Sequence, residues 1–360
     1  MVKKILFLTH YFPPEVNAPA NRTFEHCREW ASEFDITVIT NFPNHPDGKL
    51  YPGYKNKLIG RELIDGINVI RLWTFVTPNE GFVLRTINYI IYMILSVLYI
   101  SVTAVKFDLL IATSPQFFCG LAGGISAKIR RKPFVLEIRD LWPESIIAVG
   151  ALKNKTIIKI LEKIEMWLYK SSTRIVSVTE SFKENLNNRG IDEKKIKVFY
   201  NGVSIDIFEK GNKISDPALS NWLSGGFIVG YIGTIGMAHA LSTFIYAAEE
   251  LQESDVKFVI VGSGAEREKL ERIISEKKLM NIKIFPIQPK TEIPPIINSL
   301  NLFAVHLKKN PLFKTVIPSK MFEGMIMKKA VLMGVEGEAA RILEQSGGGI
   351  LFEPENHKDL

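Results

Sequence analysis

Short apolar runs alternate with amphipathic stretches along most of the chain. This alternation is typical of β-α-β units, in which helices connect the parallel strands of a sheet. In the first half it predicts strands at 4–9, 36–40, 109–112, 134–138 and 175–178, and a β-hairpin over 62–73 that turns at Asp65-Gly66. In the second half it predicts strands at 227–232, 257–261, 282–285, 302–306 and 330–333. The pattern therefore indicates the α/β class, with two consecutive Rossmann-like domains.

The chain has 360 residues, enough for two domains at roughly 150 residues each. The alternation lapses over 206–225, where the sequence contains the runs Lys-Gly-Asn-Lys and Ser-Asp-Pro-Ala. We therefore predict an N-terminal domain at 1–205, a linker at 206–225 and a C-terminal domain at 226–360. The halves share no residue-level repeat, which favours two similar folds over a duplication.

Two segments of the first half bear on membranes. Residues 86–105 carry no charge and include fifteen apolar side chains. This length fits a buried core helix, a helix embedded in the membrane interface or a true span. The strand predicted at 109–112 belongs to the same domain, which a true span would divide. A helix predicted over 153–170 places Lys155, Lys159, Lys163 and Lys170 opposite its apolar face. That charged face is either solvated or in contact with anionic lipid.

The basic residues are unevenly distributed. The net charge is +7, but residues 1–205 carry 27 Lys and Arg against 19 Asp and Glu, whereas the remainder is close to neutral. The first half is therefore expected to meet an anionic partner: nucleic acid, a membrane surface or a phosphorylated substrate. Nucleic acid is disfavoured, because the basic residues lack interleaved aromatic residues and no recognised binding module is present.

Several classes of chemistry are excluded by missing motifs. Cys27 and Cys119 form no C-x-x-C, which excludes a thiolate metal site and fits a reducing compartment. With no D-x-D and no H-E-x-x-H, the sequence predicts no metal and no other cofactor. Hydrolase, P-loop and dinucleotide fingerprints are also missing. The four apolar residues after Lys4 are fewer than the about seven of a short secretory signal, so we expect a cytoplasmic protein.

Two glycine-containing loops follow predicted strands in the second half. One contains Gly233, Thr234 and Gly236, and the other contains Gly262. Glycine lets backbone N–H groups approach a diphosphate, so each loop is a candidate phosphate site. Their spacing differs from G-x-G-x-x-G, and a tight structural turn is the alternative for both.

The run Pro318-Ser319-Lys320-Met321-Phe322-Glu323 predicts the start of a helix, with Ser319 as its N-cap. Lys320 in the first turn is unfavourable beside the helix dipole unless it serves an anion. Glu323 then lies near enough for a sugar hydroxyl. The structural alternative is a capping arrangement in which Glu323 is the partner of Ser319.

Two loops of the first half carry further candidates. Arg139, Asp140, Trp142 and Glu144 follow a predicted strand at its carboxyl end, where open parallel sheets bind ligands. The loop 11–18, which includes Glu15, follows another strand on what we expect to be the same face. A structural ion pair between Arg139 and a carboxylate is the alternative for the first loop.

Taken in order, these motifs resemble the family-4 retaining glycosyltransferases of the GT-B fold, over nearly the whole chain. The similarity is closest to the bacterial colanic-acid and O-antigen branch, which includes enzymes that transfer N-acetyl-fucosamine-type sugars. It rests on four runs, Tyr11-Phe12-Pro13-Pro14-Glu15, Pro43-Asn44-His45-Pro46-Asp47-Gly48-Lys49, Arg139-Asp140-Leu141-Trp142-Pro143-Glu144-Ser145 and Pro318-Ser319-Lys320-Met321-Phe322-Glu323. The resemblance implies two Rossmann-like domains that face a central cleft.

By that resemblance, the second domain holds a UDP-linked sugar donor and the first domain holds the acceptor. Glu323 matches the family's second glutamate, expected at the ribose, whereas Thr315 stands where the first glutamate falls. His239 is the nearest candidate for the family's basic pair. The donor-binding candidates are Asn17, Gly233, Thr234, Gly236, His239, Gly262, Ile287, Ser319, Lys320 and Glu323. The acceptor-side candidates are Asn44, His45, Arg139, Trp142 and Glu144.

The activity implied is retaining transfer of a hexosyl or N-acetylhexosaminyl group from UDP to a lipid-diphosphate-linked or oligosaccharide acceptor, in the synthesis of surface polysaccharide such as lipopolysaccharide. Lys320 would stabilise the leaving diphosphate, and Asp140 or Glu15 would orient or deprotonate the acceptor hydroxyl. The expected location is the cytoplasmic face of the plasma membrane, where the basic N-terminal domain meets anionic lipid. A UDP-sugar epimerase of the same fold and a non-catalytic nucleotide-sugar-binding protein are the alternatives. The family's final helices do not follow residue 352, so we expect a truncated C-terminal domain.

Overall fold

The computed structural model describes residues 3–45, 48–77, 82–114, 116–148, 150, 152–203, 205, 208 and 213–360. The chain divides into two compact units, Met1–Phe199 and Tyr200–Leu360. The division lies slightly before the predicted domain end at 205. The predicted linker at 206–225 contains a helix, Pro217–Trp222, whose Leu219 is fully buried.

The first unit is built on an eight-stranded sheet. Its strands lie in the order β3-β4-β2-β1-β5-β6-β7-β8, and every neighbouring pair is parallel except the hairpin β3-β4. The strands are β1 (Lys4–Leu8), β2 (Asp35–Asn41), β3 (Ile59–Ile64), β4 (Ile67–Leu72), β5 (Leu109–Ser114), β6 (Phe134–Ile138), β7 (Arg174–Ser177) and β8 (Ile196–Val198). The helices are α1 (Ala18–Trp30), α2 (Phe82–Val102), α3 (Phe117–Arg130), α4 (Glu144–Ala148), α5 (Lys155–Ser171) and α6 (Glu180–Asn188).

The second unit is built on a six-stranded, fully parallel sheet in the order β11-β10-β9-β12-β13-β14. The strands are β9 (Phe227–Ile232), β10 (Val256–Val261), β11 (Ile282–Phe285), β12 (Leu302–His306), β13 (Ala330–Gly334) and β14 (Gly349–Leu351). The helices are α7 (Pro217–Trp222), α8 (Ser242–Glu250), α9 (Arg267–Glu276), α10 (Ile293–Asn298), α11 (Lys320–Ile326) and α12 (Glu338–Ser346). Short 3₁₀ turns lie at Glu193–Lys195 in the first unit and at Met237–His239, Lys290–Glu292 and Pro311–Thr315 in the second.

The strands predicted from the apolar runs are confirmed, most of them to within one or two residues. The hairpin turns at Asp65-Gly66, where both residues have positive φ. Two strands were missed, β8 and β14, because three-residue edge strands are too short to show a period. Both complete an edge of their sheet.

The long uncharged segment forms α2, which packs against α3 within the first unit. Its buried side combines polar and aromatic residues with one isoleucine: Asn88, Tyr92, Ser96, Tyr99 and Ile100 are all at most 6% exposed. The hydroxyl of Tyr92 lies 3.0 Å from the backbone carbonyl of Thr9, directly after β1, and 2.8 Å from that of Ile39 in β2. The helix is thereby fixed to the first domain through hydrogen bonds as well as packing.

The opposite side of α2 is apolar and exposed. It carries Val83, Leu84, Ile87, Ile94, Leu98 and Val102, which are between 39% and 79% exposed. Residues Val83–Val102 have the length and composition of a membrane span, although 28% of the span is buried within the protein. The usual arrangement of a surface helix is therefore inverted, because buried polar residues face the interior of the first unit and a row of apolar residues faces outward.

Candidate active site

The two glycine loops of the second unit lie against each other, backbone to backbone. Gly233 donates its N–H to the Val261 carbonyl at 2.9 Å, and Ile235 donates to the Ser263 carbonyl at 2.8 Å. A Cβ on Gly262 would stand 1.9 Å from the carbonyl oxygen of Gly233. Packing between the loops therefore requires glycine at 262, which favours the structural reading for that residue. The exposed residue Thr234 lies at the outer turn of the first loop.

Gly233 has a different neighbour on its open side, the side chain of Lys320. A Cβ on Gly233 would stand 2.8 Å from Lys320 Nζ. The ammonium donates a hydrogen bond of 2.6 Å to Tyr231 Oη and lies 3.9 Å from the centre of that ring. Burial lowers the pKa of Lys320 to about 7, while the Glu323 carboxylate acts in the opposite direction. The predicted anion-binding lysine is thus held directly beside the glycine loop.

The helix start around Ser319 differs in one respect from its prediction. Helix α11 begins at Lys320, as expected, but Ser319 has α-helical angles and makes no capping hydrogen bond with its side chain. The capping alternative for Glu323 is therefore wrong. Burial raises the pKa of Glu323, against the opposing effect of Lys320 and Lys290. Gly324 is required by packing, since a Cβ there would stand 2.6 Å from the Phe303 ring.

His239 is half-buried beside Tyr231, with 5.8 Å between the ring centres. Burial, with a smaller contribution from Lys320, lowers the pKa of His239 to about 3, so the ring is uncharged at neutral pH. It does not supply the positive charge of the family's basic pair. Its backbone carbonyl accepts a 2.7 Å hydrogen bond from His306 Nδ1, which ties the turn after Gly236 to β12.

Two further donor-side positions lie on the same unit. Ile287 is 56% exposed in the loop after β11. Thr315, which the resemblance aligns with the family's first glutamate, donates its hydroxyl to the Leu312 carbonyl at 2.6 Å within a 3₁₀ turn. The Thr315 hydroxyl therefore donates its hydrogen bond within its own turn, and it carries no negative charge as a glutamate would.

In the first unit, a cluster of charges lies where β6 ends. Arg22 of α1 pairs with Glu137 of β6, with 2.8 Å between Nε and Oε1. Burial opposes ionisation of Glu137, but the Arg22 and Arg139 guanidinium groups outweigh it and lower the pKa of that carboxyl. Burial lowers the pKa of Arg139, whose Nη2 donates to the Ala18 carbonyl at 3.4 Å. The close ion pair of this cluster joins Glu137 to Arg22. Within the described residues Arg139 forms no such pair and is coupled to Glu137 and Asp140 through charge alone, so the structural alternative of an ion pair at Arg139 is not supported.

Asp140 follows this cluster and differs from the other acids of the loop. Among the residues that the structure describes, none donates a hydrogen bond to its carboxylate. Burial raises the pKa of Asp140 to about 6, with Arg139 acting in the opposite direction. An unpaired carboxylate that titrates near neutrality fits a general base.

The remaining candidates of this motif hold the loop in place. Trp142 stacks on Phe117 of α3, with ring centres 4.3 Å apart and planes at 17°. Glu144 pairs with Arg189, with 3.4 Å between Oε1 and Nη1. Trp142 and Glu144 thus contact other parts of the first unit, whereas Arg139 and Asp140 lie directly after the carboxyl end of β6.

Glu15 connects two loops at the carboxyl ends of β1 and β2. Its Oε1 accepts hydrogen bonds of 3.0 Å from the backbone N–H groups of both Asn44 and His45, and its Oε2 accepts one from Phe12. The side chain is 2% exposed, and burial raises its pKa to about 7 despite these bonds. This geometry favours a bracing role for Glu15 and leaves Asp140 as the stronger candidate base.

Asn17, a donor-binding candidate from the family resemblance, lies directly before α1. Its Oδ1 accepts a hydrogen bond of 2.9 Å from Ala20 N and so caps α1. Its Nδ2 is buried and, among the described residues, has no hydrogen-bond partner. The side chain therefore combines a structural role with an unused donor.

Three residues of these sites were missed from the sequence: Tyr231, Arg22 and Glu137. Glu137 gives a detectable signal, because it is an acid inside the apolar strand Phe134–Ile138. Tyr231 and Arg22 give none, since their partners Lys320 and Glu137 lie 89 and 115 residues away. Across the described ranges, no group of three or more His, Cys, Asp or Glu residues could hold a metal ion.

The two α/β units, with candidate sites at the carboxyl ends of their parallel strands, have the GT-B fold. The model of Glycosyltransferase Family 4 matches residues 20–207, and that of Glycosyl transferases group 1 matches residues 226–360. The chain therefore belongs to glycosyltransferase family 4.

Two curated proteins show similarity to the chain. "Putative colanic acid biosynthesis glycosyl transferase WcaI" of Escherichia coli (strain K12) is 23% identical over 99% of this chain and 90% of its own length. "Probable glycosyltransferase WbjE" of Pseudomonas aeruginosa is 22% identical over 60% of this chain and 55% of its own length. Among solved structures, Anabaena Alr3699/HepE in complex with UDP and glucose has a TM-score of 0.69 at 18% identity, covering 99% of this chain and 87% of that one.

Proposed function

We propose that this glycosyltransferase moves a sugar from a UDP-sugar to a lipid-linked acceptor during the synthesis of a bacterial surface polysaccharide, with retention of anomeric configuration. The observation that carries the donor assignment is the Lys320 ammonium, held by Tyr231 beside the Gly233 backbone. The similarity to WcaI and WbjE supports the polysaccharide context, and the binding of UDP by HepE supports a UDP-linked donor.

The proposed chemistry needs one cation and one base. The diphosphate gains negative charge as it leaves, so the Lys320 ammonium would stabilise the transition state more than the ground state. Asp140 would orient the acceptor hydroxyl or accept its proton, because its unpaired carboxylate titrates near pH 6. Glu323 would accept hydrogen bonds from the ribose hydroxyls. No metal or other cofactor is part of the proposal.

UDP titration by calorimetry tests the donor site. We expect wild type to bind UDP, and Glu323→Gln to bind it roughly tenfold or more weakly, because a charged hydrogen-bond acceptor is lost. Glu344→Gln, on an exposed position of α12 in the same unit, is the matched control and should bind as wild type does. Equal UDP affinity in all three proteins would contradict the donor assignment.

Product analysis tests the reaction class. Wild-type protein incubated with a panel of UDP-sugars should release UDP only when lipid extract containing sugar acceptors is present. Interconversion of UDP-sugars without lipid would instead identify an epimerase. UDP binding with no turnover in either condition would identify a nucleotide-sugar-binding protein.

We further propose that the first domain works as a peripheral protein on the anionic cytoplasmic face of the plasma membrane. The inverted helix α2 supports this, because an exposed row of apolar side chains is typical of a surface that binds lipid or another partner. The excess positive charge of residues 1–205 supports attraction to anionic lipid. The exposed lysines Lys155 and Lys159 of α5 are further candidate lipid contacts.

Vesicle flotation tests this surface. We expect wild type to float with vesicles that contain phosphatidylglycerol and to float less with pure phosphatidylcholine. The triple variant I87S/I94S/L98S should lose flotation. Met280→Ser, which changes an 83% exposed residue of the second unit, should not. Flotation that resists alkaline carbonate would indicate a spanning segment and contradict peripheral binding.

A further inference from the structure

Tyr231 is fully buried at the carboxyl end of β9, two residues before Gly233. Its hydroxyl lies 2.8 Å from the Thr234 carbonyl oxygen, which can only accept a hydrogen bond. The single hydroxyl proton of Tyr231 is therefore directed to Thr234. The lone pairs of the same oxygen remain free to accept from Lys320, at 2.6 Å.

The ring of Tyr231 contributes a second contact. Lys320 Nζ lies 3.9 Å from the ring centre, within the range of a cation–π interaction. The missing side chain of Gly233 leaves room for the ammonium, because a Cβ there would stand 2.8 Å from Nζ. The hydroxyl and the ring of Tyr231 thus hold a flexible lysine side chain in the space that Gly233 leaves open.

We infer that Tyr231 is a positioning residue of the donor site, which holds the Lys320 ammonium at the glycine loop before the diphosphate arrives. This rests on the proposed function, in which Lys320 meets the diphosphate. Pre-ordering matters because a lysine otherwise loses side-chain conformational entropy when it binds its anion. Tyr231 itself touches no substrate and acts through Lys320.

Tyr231→Phe removes the hydroxyl and keeps the ring, so it tests the hydrogen bond with little change in packing. We expect UDP affinity at pH 6.5, measured by calorimetry, to fall about tenfold, because the bond to a charged group is lost. The loss should grow at higher pH, since an ammonium without its acceptor gives up its proton more easily. Tyr246→Phe, at a partly exposed tyrosine of α8, is the matched control and should change neither the UDP affinity nor its pH dependence.

A double-mutant cycle separates positioning from a merely structural role. In a Lys320→Met background, Tyr231→Phe should cause no further loss of UDP affinity, because its effect passes through the lysine. Additive losses in the double variant, or wild-type affinity in Tyr231→Phe with an unchanged pH dependence, would overturn the inference. Wild-type UDP binding that is insensitive to Lys320→Met would instead overturn the proposed role of Lys320. Circular dichroism and thermal melts of each variant confirm that the proteins compared are folded.

Discussion

The carbonyl oxygen of Gly233 occupies the place where Gly262 would otherwise carry a side chain, at 1.9 Å from the Cβ position. The contact is between backbones, so no rotamer change can relieve it. The carboxyl ends of β9 and β10 are therefore locked together by the glycine at 262, and the position of the candidate phosphate loop depends on that contact.

Gly262→Ala should accordingly displace the loop that contains Gly233. We expect destabilisation of about 1–3 kcal/mol, as for other overpacked sites, together with a loss of UDP binding. Urea denaturation and calorimetry measure the two effects. Gly202→Ala is the control, because no atom lies within 4 Å of its Cβ position. Equal free energies of unfolding and equal UDP affinities in both variants would show that the two loops can separate without loss of stability, and would contradict the prediction.

The rate of sugar transfer should depend on pH with two limbs. Asp140 must lose its proton to act as a base, so kcat/KM should rise as pH passes about 6. Lys320 must keep its proton to meet the diphosphate, so kcat/KM should fall above about 7. Initial rates between about pH 4 and pH 9, a range of roughly two units beyond each pKa, define the limbs.

Single variants assign the two limbs. Asp140→Asn should abolish the acidic limb and lower the maximal rate by about 10²-fold or more, the usual contribution of a general base. Lys320→Met should abolish the alkaline limb. An acidic limb that persists in Asp140→Asn would assign it to another group, such as Glu15, whose pKa burial raises to about 7.

Arg130 should be a strong stabiliser of α2. Its Nη1 donates to the carbonyls of Ile100 and Thr103 at 2.8 and 3.0 Å, and its Nη2 donates to Val105 at 3.1 Å. A lysine cannot reproduce this fork, so Arg130→Lys should lower the free energy of unfolding by about 1–3 kcal/mol. The neighbouring exposed Arg131→Lys is the matched control. Equal urea midpoints for both variants would contradict the assignment.

Trp142 should matter for both stability and rate, because its stack on Phe117 holds the loop that carries Asp140. Trp142→Ala should cost roughly 2 kcal/mol of stability, below the loss for a fully buried tryptophan. It should also lower kcat more than UDP affinity, since Asp140 is proposed to act on the acceptor. Trp142→Phe keeps an aromatic face and should recover most of both losses. A rate in Trp142→Ala that follows stability alone would mean that Asp140 does not depend on this stack.

The two Rossmann-like units follow from sequence because they depend on local periodicity. Each strand of a parallel sheet is a short apolar run, and the hairpin at Asp65-Gly66 needs residues that accept positive φ. The position of Lys320 in the first turn of a helix is local as well, because Pro318 and Ser319 precede it directly. The family resemblance depends on such runs in order, and the matched family models agree with it.

Only the tertiary structure decided what each side chain contacts, because the partners are distant in sequence. Lys320 meets Tyr231 across 89 residues, and Glu144 meets Arg189 across 45. The same holds for α2. Its uncharged sequence fits a core, an interfacial or a membrane-spanning helix. The contacts of the Tyr92 hydroxyl with the Thr9 and Ile39 carbonyls show which side of the helix is buried. Local patterns thus specify the elements, whereas burial and pairing in three dimensions specify which of their residues remain available for chemistry.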